Sequence, residues 1–103
     1  MELQPEFIQS VSDRDVLLRL QNNMKLRALR DGNRTRAIEV LESMIMIAPM
    51  KVDNMAELVS LEASEGHYRS ALGRLDLFLE RYPESKNAPA ILDLKRHLQR
   101  RLN

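Results

Sequence analysis

Histidine and cysteine, two residue types often used in catalysis and metal binding, are rare or absent in this chain. Histidine occurs twice, at His67 and His97, and neither stands in a His-Glu-x-x-His spacing. Cysteine is absent, which excludes thiolate zinc sites, disulfides and a cysteine nucleophile. The sequence contains no glycine-rich phosphate loop and no Gly-x-Ser-x-Gly elbow. We therefore predict no catalytic residue, no metal ligand and no cofactor, and we expect the chain not to be an enzyme.

The remaining chemistry-bearing residues are carboxylates and basic side chains on predicted helices. Glu39 and Glu42, and likewise Glu62 and Glu65, lie three residues apart, which is typical of a solvated helix face. His67 falls in a predicted turn, and His97 is expected to face solvent. Such charged residues can contribute to binding of a partner only where helices place them on one surface, so the helices that position them are considered next.

Three small or rigid residue types recur with one common displacement of 34 residues. The recurring set is Gly32, Ala37 and Pro49 in the first copy and Gly66, Ala71 and Pro83 in the second. A period of about 34 residues, with glycine between two helical patterns and proline at the end, is the tetratricopeptide signature. Such repeats usually form surfaces that bind other proteins.

The spacing of apolar residues predicts an all-α fold with about five helices and no strand. We expect two tetratricopeptide-like repeats, residues 18–51 and 52–85, in a right-handed superhelix, with a capping helix over residues 88–102. Together they make a helical domain of residues 12–103, preceded by an extension or linker over residues 1–11. In each repeat, glycine permits the reversal between helices, and alanine lets the second helix approach the first closely.

The first helix departs from the repeat pattern. Its fourth position, usually a large aromatic residue, is Gln21, and its eighth, usually small, is Lys25. We expect its apolar face to run through residues at helical spacing, namely Leu17, Leu20, Met24 and Ala28. Four methionines, Met44, Met46, Met50 and Met55, cluster around the junction between the repeats. They suit an adaptable binding surface, but we favour the alternative in which Met44 and Met55 fill the core and Met46 and Met50 lie at an edge.

The partner-binding candidates are the first-helix positions that line the groove of tetratricopeptide proteins. They are Arg19, Asn22, Asn23, Leu26 and Arg30 in the first repeat and Asp53, Ala56, Glu57, Ser60 and Ser64 in the second. The first set is basic and amide-rich, which suits carboxylates or peptide backbone, and the second is acidic and small. The alternatives are a buried Asn23 that hydrogen-bonds the preceding segment or a missing domain, and an ordinary solvated face for Arg19, Asn22 and Arg30.

Several segments between Val11 and Asn103 are similar to those of one bacterial family. The matching segments are Leu18–Arg27, Arg36–Glu42, Ile47–Pro49, Gly66–Leu72, Phe78–Leu79 with Pro83, and Leu98–Asn103. They resemble the C-terminal helical region of the SirB family, in which a transglutaminase-like domain precedes tetratricopeptide-type repeats. The resemblance implies that the chain is the C-terminal portion of a longer protein and that its own upstream domain is a candidate partner.

Charge and hydropathy narrow the classes of partner. The net charge is +1, so the whole molecule lacks the strong field of a nucleic-acid binder. Basic residues crowd the last nine positions, namely Lys95, Arg96, Arg100 and Arg101, but no aromatic residue stands among them for base stacking. No apolar run approaches the roughly 18 residues of a membrane helix, and the start lacks a basic secretory signal. We expect a cytoplasmic location.

Three functions are therefore weighed. The first is a protein-interaction module that binds a peptide or partner protein along the groove, with a second copy of the chain as a further candidate partner. The second is a structural domain that docks on its own transglutaminase-like domain and regulates it. The third, and weakest, is an anion or nucleic-acid binder acting through Arg96, Arg100 and Arg101.

Overall fold

The computed structural model describes residues 13–102, which form five α-helices and one short 3-10 helix. The helices are α1 (Asp13–Arg30), α2 (Arg34–Ile47), α3 (Val52–Ser64), α4 (Tyr68–Arg81), the 3-10 helix (Pro83–Asn87) and α5 (Pro89–Leu102). No strand occurs between residues 13 and 102, so the predicted all-α fold is confirmed. The predicted extension over residues 1–11 lies outside the described residues.

The helices belong to two compact units, each of which contains one helix-turn-helix pair. The first unit ends at Ile47 and holds α1 packed against α2. The second begins at Ala48 and holds α3 packed against α4, with α5 packed against both of them. The predicted second repeat and the helix α3 both begin at Val52.

The turn between α1 and α2 is built around a glycine in the left-handed region. Gly32 has φ of +72°, and its N–H donates to the carbonyl of Leu29 at 3.1 Å. The N–H of Asn33 donates to the carbonyl of Ala28 at 2.8 Å. These two bonds form a Schellman motif, which satisfies carbonyls that the helix end leaves without intrahelical partners.

The turn between α3 and α4 repeats this geometry 34 residues later. Gly66 has φ of +87°, and its N–H donates to the carbonyl of Ala63 at 2.9 Å. The N–H of His67 donates to the carbonyl of Glu62 at 3.1 Å. The 34-residue displacement in the sequence therefore corresponds to the same hydrogen-bonded turn, formed twice.

The helix ends also recur with the same displacement. The corresponding ends are Arg30 and Ser64, Arg34 and Tyr68, and Ile47 and Arg81. Beyond the second helix of each pair, the N–H of Lys51 donates to the carbonyl of Ala48, and that of Ser85 donates to the carbonyl of Tyr82. Each of these short turns contains one of the predicted prolines, Pro49 or Pro83, which cannot continue the preceding helix.

Among the described residues, the core consists of aliphatic side chains together with Met44, Met55 and Phe78. The two repeat alanines, Ala37 and Ala71, are completely buried, as their place between paired helices requires. Met44 and Met55 are buried while Met46 and Met50 are exposed, which confirms their predicted roles. The largest completely buried side chains are Leu41, Leu58, Val59, Leu75, Ile91 and Leu98.

The apolar face predicted for α1 is wrong at three of its four positions. Leu17, Leu20 and Met24 are 45%, 57% and 42% exposed, while Ala28 is buried. The side of α1 that packs on α2 is shifted around the helix and carries Leu18, Gln21 and the buried Lys25 and Ala28. The Gln21 amide donates to the Ser43 hydroxyl at 2.7 Å. Gln21 therefore makes a polar contact between the two helices.

Candidate functional site

An open groove of about 430 Å³ lies between α3 and α5 in the second unit. Its walls are lined by Ala56, Glu57 and Ser60 from α3 and by Ala90, Asp93, Leu94 and His97 from α5. Three of the positions predicted to bind a partner therefore lie together along one wall.

The groove is positioned by the buried faces of its two helices. Met55, Leu58 and Val59 turn one side of α3 into the core, which leaves Ala56 and Ser60 beside it on the groove wall. On α5, Ile91 and Leu98 are completely buried. The α5 lining residues stand at i, i+3, i+4 and i+7, so they form one stripe along that helix.

The groove combines an apolar surface with carboxylates. Ala56, Ala90 and Leu94 provide small or aliphatic surface, and Glu57 and Asp93 provide carboxylates, one from each wall. Its lining includes two acidic residues and no Lys or Arg. Apolar surface together with hydrogen-bond acceptors suits a peptide segment that brings N–H groups or a cation.

Asp93 is held by a neighbour on its own helix. The guanidinium of Arg96 contacts the carboxylate of Asp93 at 3.0 Å, and both side chains are largely exposed, at 69% and 77%. Exposed ion pairs of this kind contribute only about 0–1 kcal/mol. A cationic ligand can therefore displace Arg96 from Asp93 at small cost.

Two predicted second-repeat positions lie outside the groove lining. Asp53 is exposed near the start of α3. Ser64 is exposed at the end of α3, and its hydroxyl donates to the carbonyl of Leu61 at 2.6 Å. The hydroxyl of Ser64 is thus engaged within its own helix, while Ser60 lies on the groove wall.

The five first-repeat candidates lie on α1, in the first unit. Arg19, Asn23, Leu26 and Arg30 are exposed and Asn22 is half-buried. The alternative in which Asn23 is covered by the preceding segment or by an upstream domain stays a prediction, because both lie outside the described residues. A depression of about 240 Å³ on this unit is lined by other residues, namely Met24, Arg27, Ala28, Asp31, Asn33 and Arg36.

The solvated face predicted for Glu62 is wrong, because this residue is buried at 7% exposure. Its Oε1 atom pairs with the Nε atom of Arg74 on α4, and the Ser70 hydroxyl donates to its Oε2 atom at 3.3 Å. Glu62 therefore joins α3 to α4 and is not part of the groove. Glu39, Glu42 and Glu65 are exposed, as predicted.

The basic residues near the C-terminus are partly engaged within the second unit. The guanidinium carbon of Arg101 lies 6.0 Å from the centre of the Tyr68 ring, at a distance suited to a cation–π contact. Arg96 pairs with Asp93. Arg101 is therefore partly engaged by the protein itself, whereas the exposed pair of Arg96 with Asp93 is too weak to withhold that guanidinium from a ligand. Anion binding through these residues stays a prediction.

Comparison with known protein families, curated proteins and solved structures finds no match. The groove must therefore be interpreted from its own chemistry. Within residues 13–102, no cluster of three or more His, Asp or Glu side chains is arranged to hold a metal ion. In the same part of the chain, no helix has the length and apolar character to cross a membrane.

The sequence did not identify the α5 wall of the groove, although it predicted the helix as a cap. Ala90, Asp93 and Leu94 carry no motif, and the sequence predicts that His97 faces solvent. His97 is indeed exposed, but it lies on the groove wall. The spacing of Ile91 and Leu98 fixes the buried side of α5, and this signal could have placed the neighbouring residues beside α3.

Proposed function

We propose that this chain is a non-catalytic protein-interaction module whose α3–α5 groove binds an extended peptide segment of a partner protein. The observation that supports this proposal most directly is the composition of the groove. Its lining combines two carboxylates, Glu57 on α3 and Asp93 on α5, with small or aliphatic side chains. A groove of this kind offers acceptors for backbone N–H groups and contact for small side chains.

The charge of the lining favours a partner segment that carries Lys or Arg. A cation placed between Glu57 and Asp93 gains charge-assisted hydrogen bonds from both walls. Small or apolar residues beside it would contact Ala56, Ala90 and Leu94. The partner's binding segment is thus expected to combine a basic residue with short apolar neighbours.

The repeated turn geometry supports assignment to the tetratricopeptide type. Gly32 and Gly66 form the same Schellman turn 34 residues apart, and the helix ends follow the same displacement. The right-handed superhelix, the relationship to the SirB family and the cytoplasmic location remain proposals. So does the alternative in which the partner is the chain's own upstream transglutaminase-like domain.

Selection from a random peptide library tests the chemistry of the groove without knowledge of the partner. The intact chain serves as bait, and selected peptides are synthesised and their affinities measured by calorimetry. We expect enrichment of basic residues beside small apolar ones. Selection of acidic peptides, or of none above background, would contradict the proposed groove function.

Matched variants then locate the binding site. The double variant Glu57→Gln with Asp93→Asn keeps the shape of both side chains and removes both charges, so a selected basic peptide should bind about tenfold more weakly. The control is Asp76→Asn, which removes one exposed carboxylate from α4, outside the α3–α5 groove. Equal affinities of the groove variant and wild type would place the peptide elsewhere.

A further inference from the structure

One side of α1 presents large apolar side chains to solvent. Leu17, Leu20 and Met24 stand at i, i+3 and i+7, so they form a continuous stripe along the helix, here called the α1 apolar stripe. Each of these side chains is between 42% and 57% exposed. The buried residues of α1, among them Leu18 and Lys25, lie on another side, toward α2.

The line of the stripe ends in opposite charges. Asp13 lies in the first turn of α1 and Arg27 in its last turn, and both are exposed. Asp13 stands four residues before Leu17, and Arg27 stands three residues after Met24, so both continue the stripe along the same side of the helix. The helix dipole favours an acidic start and a basic end, but it does not require the two charges to lie in line with the leucines.

The whole line has the spacing of a seam between packed helices. From Asp13 to Arg27 its members are separated by four, three, four and three residues, the alternation that keeps side chains facing one partner helix. The side of α1 that packs on α2 shows the same alternation through Leu18, Gln21, Lys25 and Ala28. The helix thus carries two such seams, of which α2 occupies one and the other is exposed.

The charges of the exposed seam match a second copy of α1 that runs antiparallel. Asp13 and Arg27 each stand seven residues from Leu20. If two copies cross at Leu20, Asp13 of each copy therefore lies level with Arg27 of the other, and Leu17 lies beside Met24. A parallel pair would instead place like charges together at both ends, which is unfavourable.

Other charged groups at the basic end leave this match in place. Arg36 and Asp31 line the same depression as Arg27, and Arg36 pairs with Glu39 on its own helix at 3.2 Å. Asp31 lies four residues beyond Arg27, so in the antiparallel pair it lies about 6 Å past the level of Asp13. Arg27 is therefore the cation in line with Asp13 of the second copy.

The size of the seam predicts a weak, reversible contact. Asp13 and Arg27 are 14 residues apart, which corresponds to about 21 Å along the helix. A single helix pair of this length buries less than the roughly 800 Å² per partner of a standard interface. We expect a dissociation constant on the order of 10–100 μM.

We propose that two copies of this chain associate through the α1 apolar stripe as an antiparallel helix pair. Leu20 lies at the two-fold axis, and Asp13 of each copy pairs with Arg27 of the other. The contact is isologous, because the same surface serves on both copies. The surface belongs to the first unit and does not involve the α3–α5 groove, so the proposal is independent of the proposed function.

Sedimentation of the full chain at protein concentrations from about 1 μM to about 1 mM tests the association. Leu20→Glu places two carboxylates at the axis and should weaken the dimer at least about tenfold. The control is Leu26→Glu, a comparably exposed leucine on another side of α1, which should change the affinity by less than about twofold. A wild-type chain that is monomeric throughout, or equal effects of the two variants, would overturn the proposal. Circular dichroism verifies that each variant is helical.

Exchange of the end charges tests the antiparallel arrangement. Asp13→Arg alone and Arg27→Asp alone each place like charges at both ends and should weaken the dimer about fivefold. The double variant keeps the net charge of +1 and restores opposite charges, so its affinity should return to within about twofold of wild type.

An equal mixture of the two single variants controls for loss of helix. It also joins opposite charges at both ends, and each chain has the same stability in the mixture as alone. The mixture should therefore associate more tightly than either variant by itself. If neither the double variant nor the mixture associates more tightly than the single variants, the antiparallel pair is wrong.

Discussion

The carboxylate of Glu62 faces the guanidinium of Arg74 between α3 and α4, at positions that hold Ala28 and Val40 in the first repeat. Ala28 and Val40 are both buried, at 6% and 4% exposure. The two repeats thus use the same pair of sites in chemically different ways. The first helix pair has two apolar residues at these sites. The second has an ion pair, and its carboxylate also accepts a hydrogen bond from the Ser70 hydroxyl.

Removing the cation from this pair should destabilise the second unit. Arg74→Val leaves the Glu62 carboxylate largely buried and without its main counter-charge. We expect the free energy of unfolding to fall by about 2 kcal/mol, less than for a fully buried pair because the Arg74 side chain is 36% exposed. Urea denaturation followed by circular dichroism measures the change.

The matched double variant provides the control for this prediction. Glu62→Met with Arg74→Val imitates the apolar pair of the first repeat, and its stability should return to within about 1 kcal/mol of wild type. A double variant less stable than Arg74→Val alone would show that the carboxylate has a stabilising role of its own.

Alanine in place of either turn glycine should cost stability through the backbone alone. At Gly32 and Gly66, an added Cβ would meet no atom within 4 Å, but φ lies in the left-handed region. We expect each single variant to lose about 1 kcal/mol. Thermal unfolding of both variants checks the prediction, and unequal losses would show that the two turns are not energetically equivalent.

Gly73 offers the opposite expectation. It lies within α4, and a Cβ there would also meet no atom within 4 Å. Gly73→Ala should therefore stabilise the protein by about 0.5–1 kcal/mol, because alanine loses less backbone entropy in a helix. A melting temperature of Gly73→Ala below that of wild type would contradict the conclusion that a Cβ at this position meets no other atom.

The two turns differ in the residue that caps the following helix, and the asparagine cap of the first turn can be introduced into the second by mutation. The side chain of Asn33 accepts a hydrogen bond from the N–H of Arg36 at 3.1 Å, whereas His67 makes no such bond at the start of α4. Asn33→Ala should cost about 1 kcal/mol, and His67→Asn should add a fraction of that amount. Thermal unfolding of both variants, with His67→Ala as the neutral control, measures these effects.

A positive charge placed inside the groove should block a basic peptide. Ser60→Arg puts a guanidinium near Glu57 and Asp93 and should weaken binding of a selected basic peptide about tenfold. Ser64→Arg, an equally exposed change on the same helix but outside the groove lining, should leave the affinity within about twofold. Equal losses in both variants would indicate a nonspecific charge effect.

The turns and helix ends could be predicted from sequence because they depend on local backbone chemistry. Only glycine adopts positive φ without strain, and proline cannot continue a helix from within. The displacement from Gly32 to Gly66 and from Pro49 to Pro83 therefore carried reliable information. The burial of Ala37 and Ala71 followed from their place early in the second helix of each pair.

The faces of the helices were harder to predict, because they depend on which neighbour packs against them. Two adjacent sides of α1 could pack against α2, and the side that does so carries the polar residues Gln21 and Lys25. Hydropathy alone favoured Leu17 and Leu20, which are exposed. Glu62 was misplaced for the same reason, since its burial depends on Arg74, twelve residues further along the chain.

The three-residue turn between Arg30 and Arg34, repeated between Ser64 and Tyr68, has a consequence for the rate of folding. Each turn brings together helices that are neighbours in sequence, so little loop entropy is lost when a pair closes. Helical proteins dominated by such local contacts fold in microseconds to milliseconds. We expect refolding to be so fast that much of it occurs within the dead time of a stopped-flow instrument. The effect of the glycine substitutions on the folding rate then shows whether the turns form before the rate-limiting step.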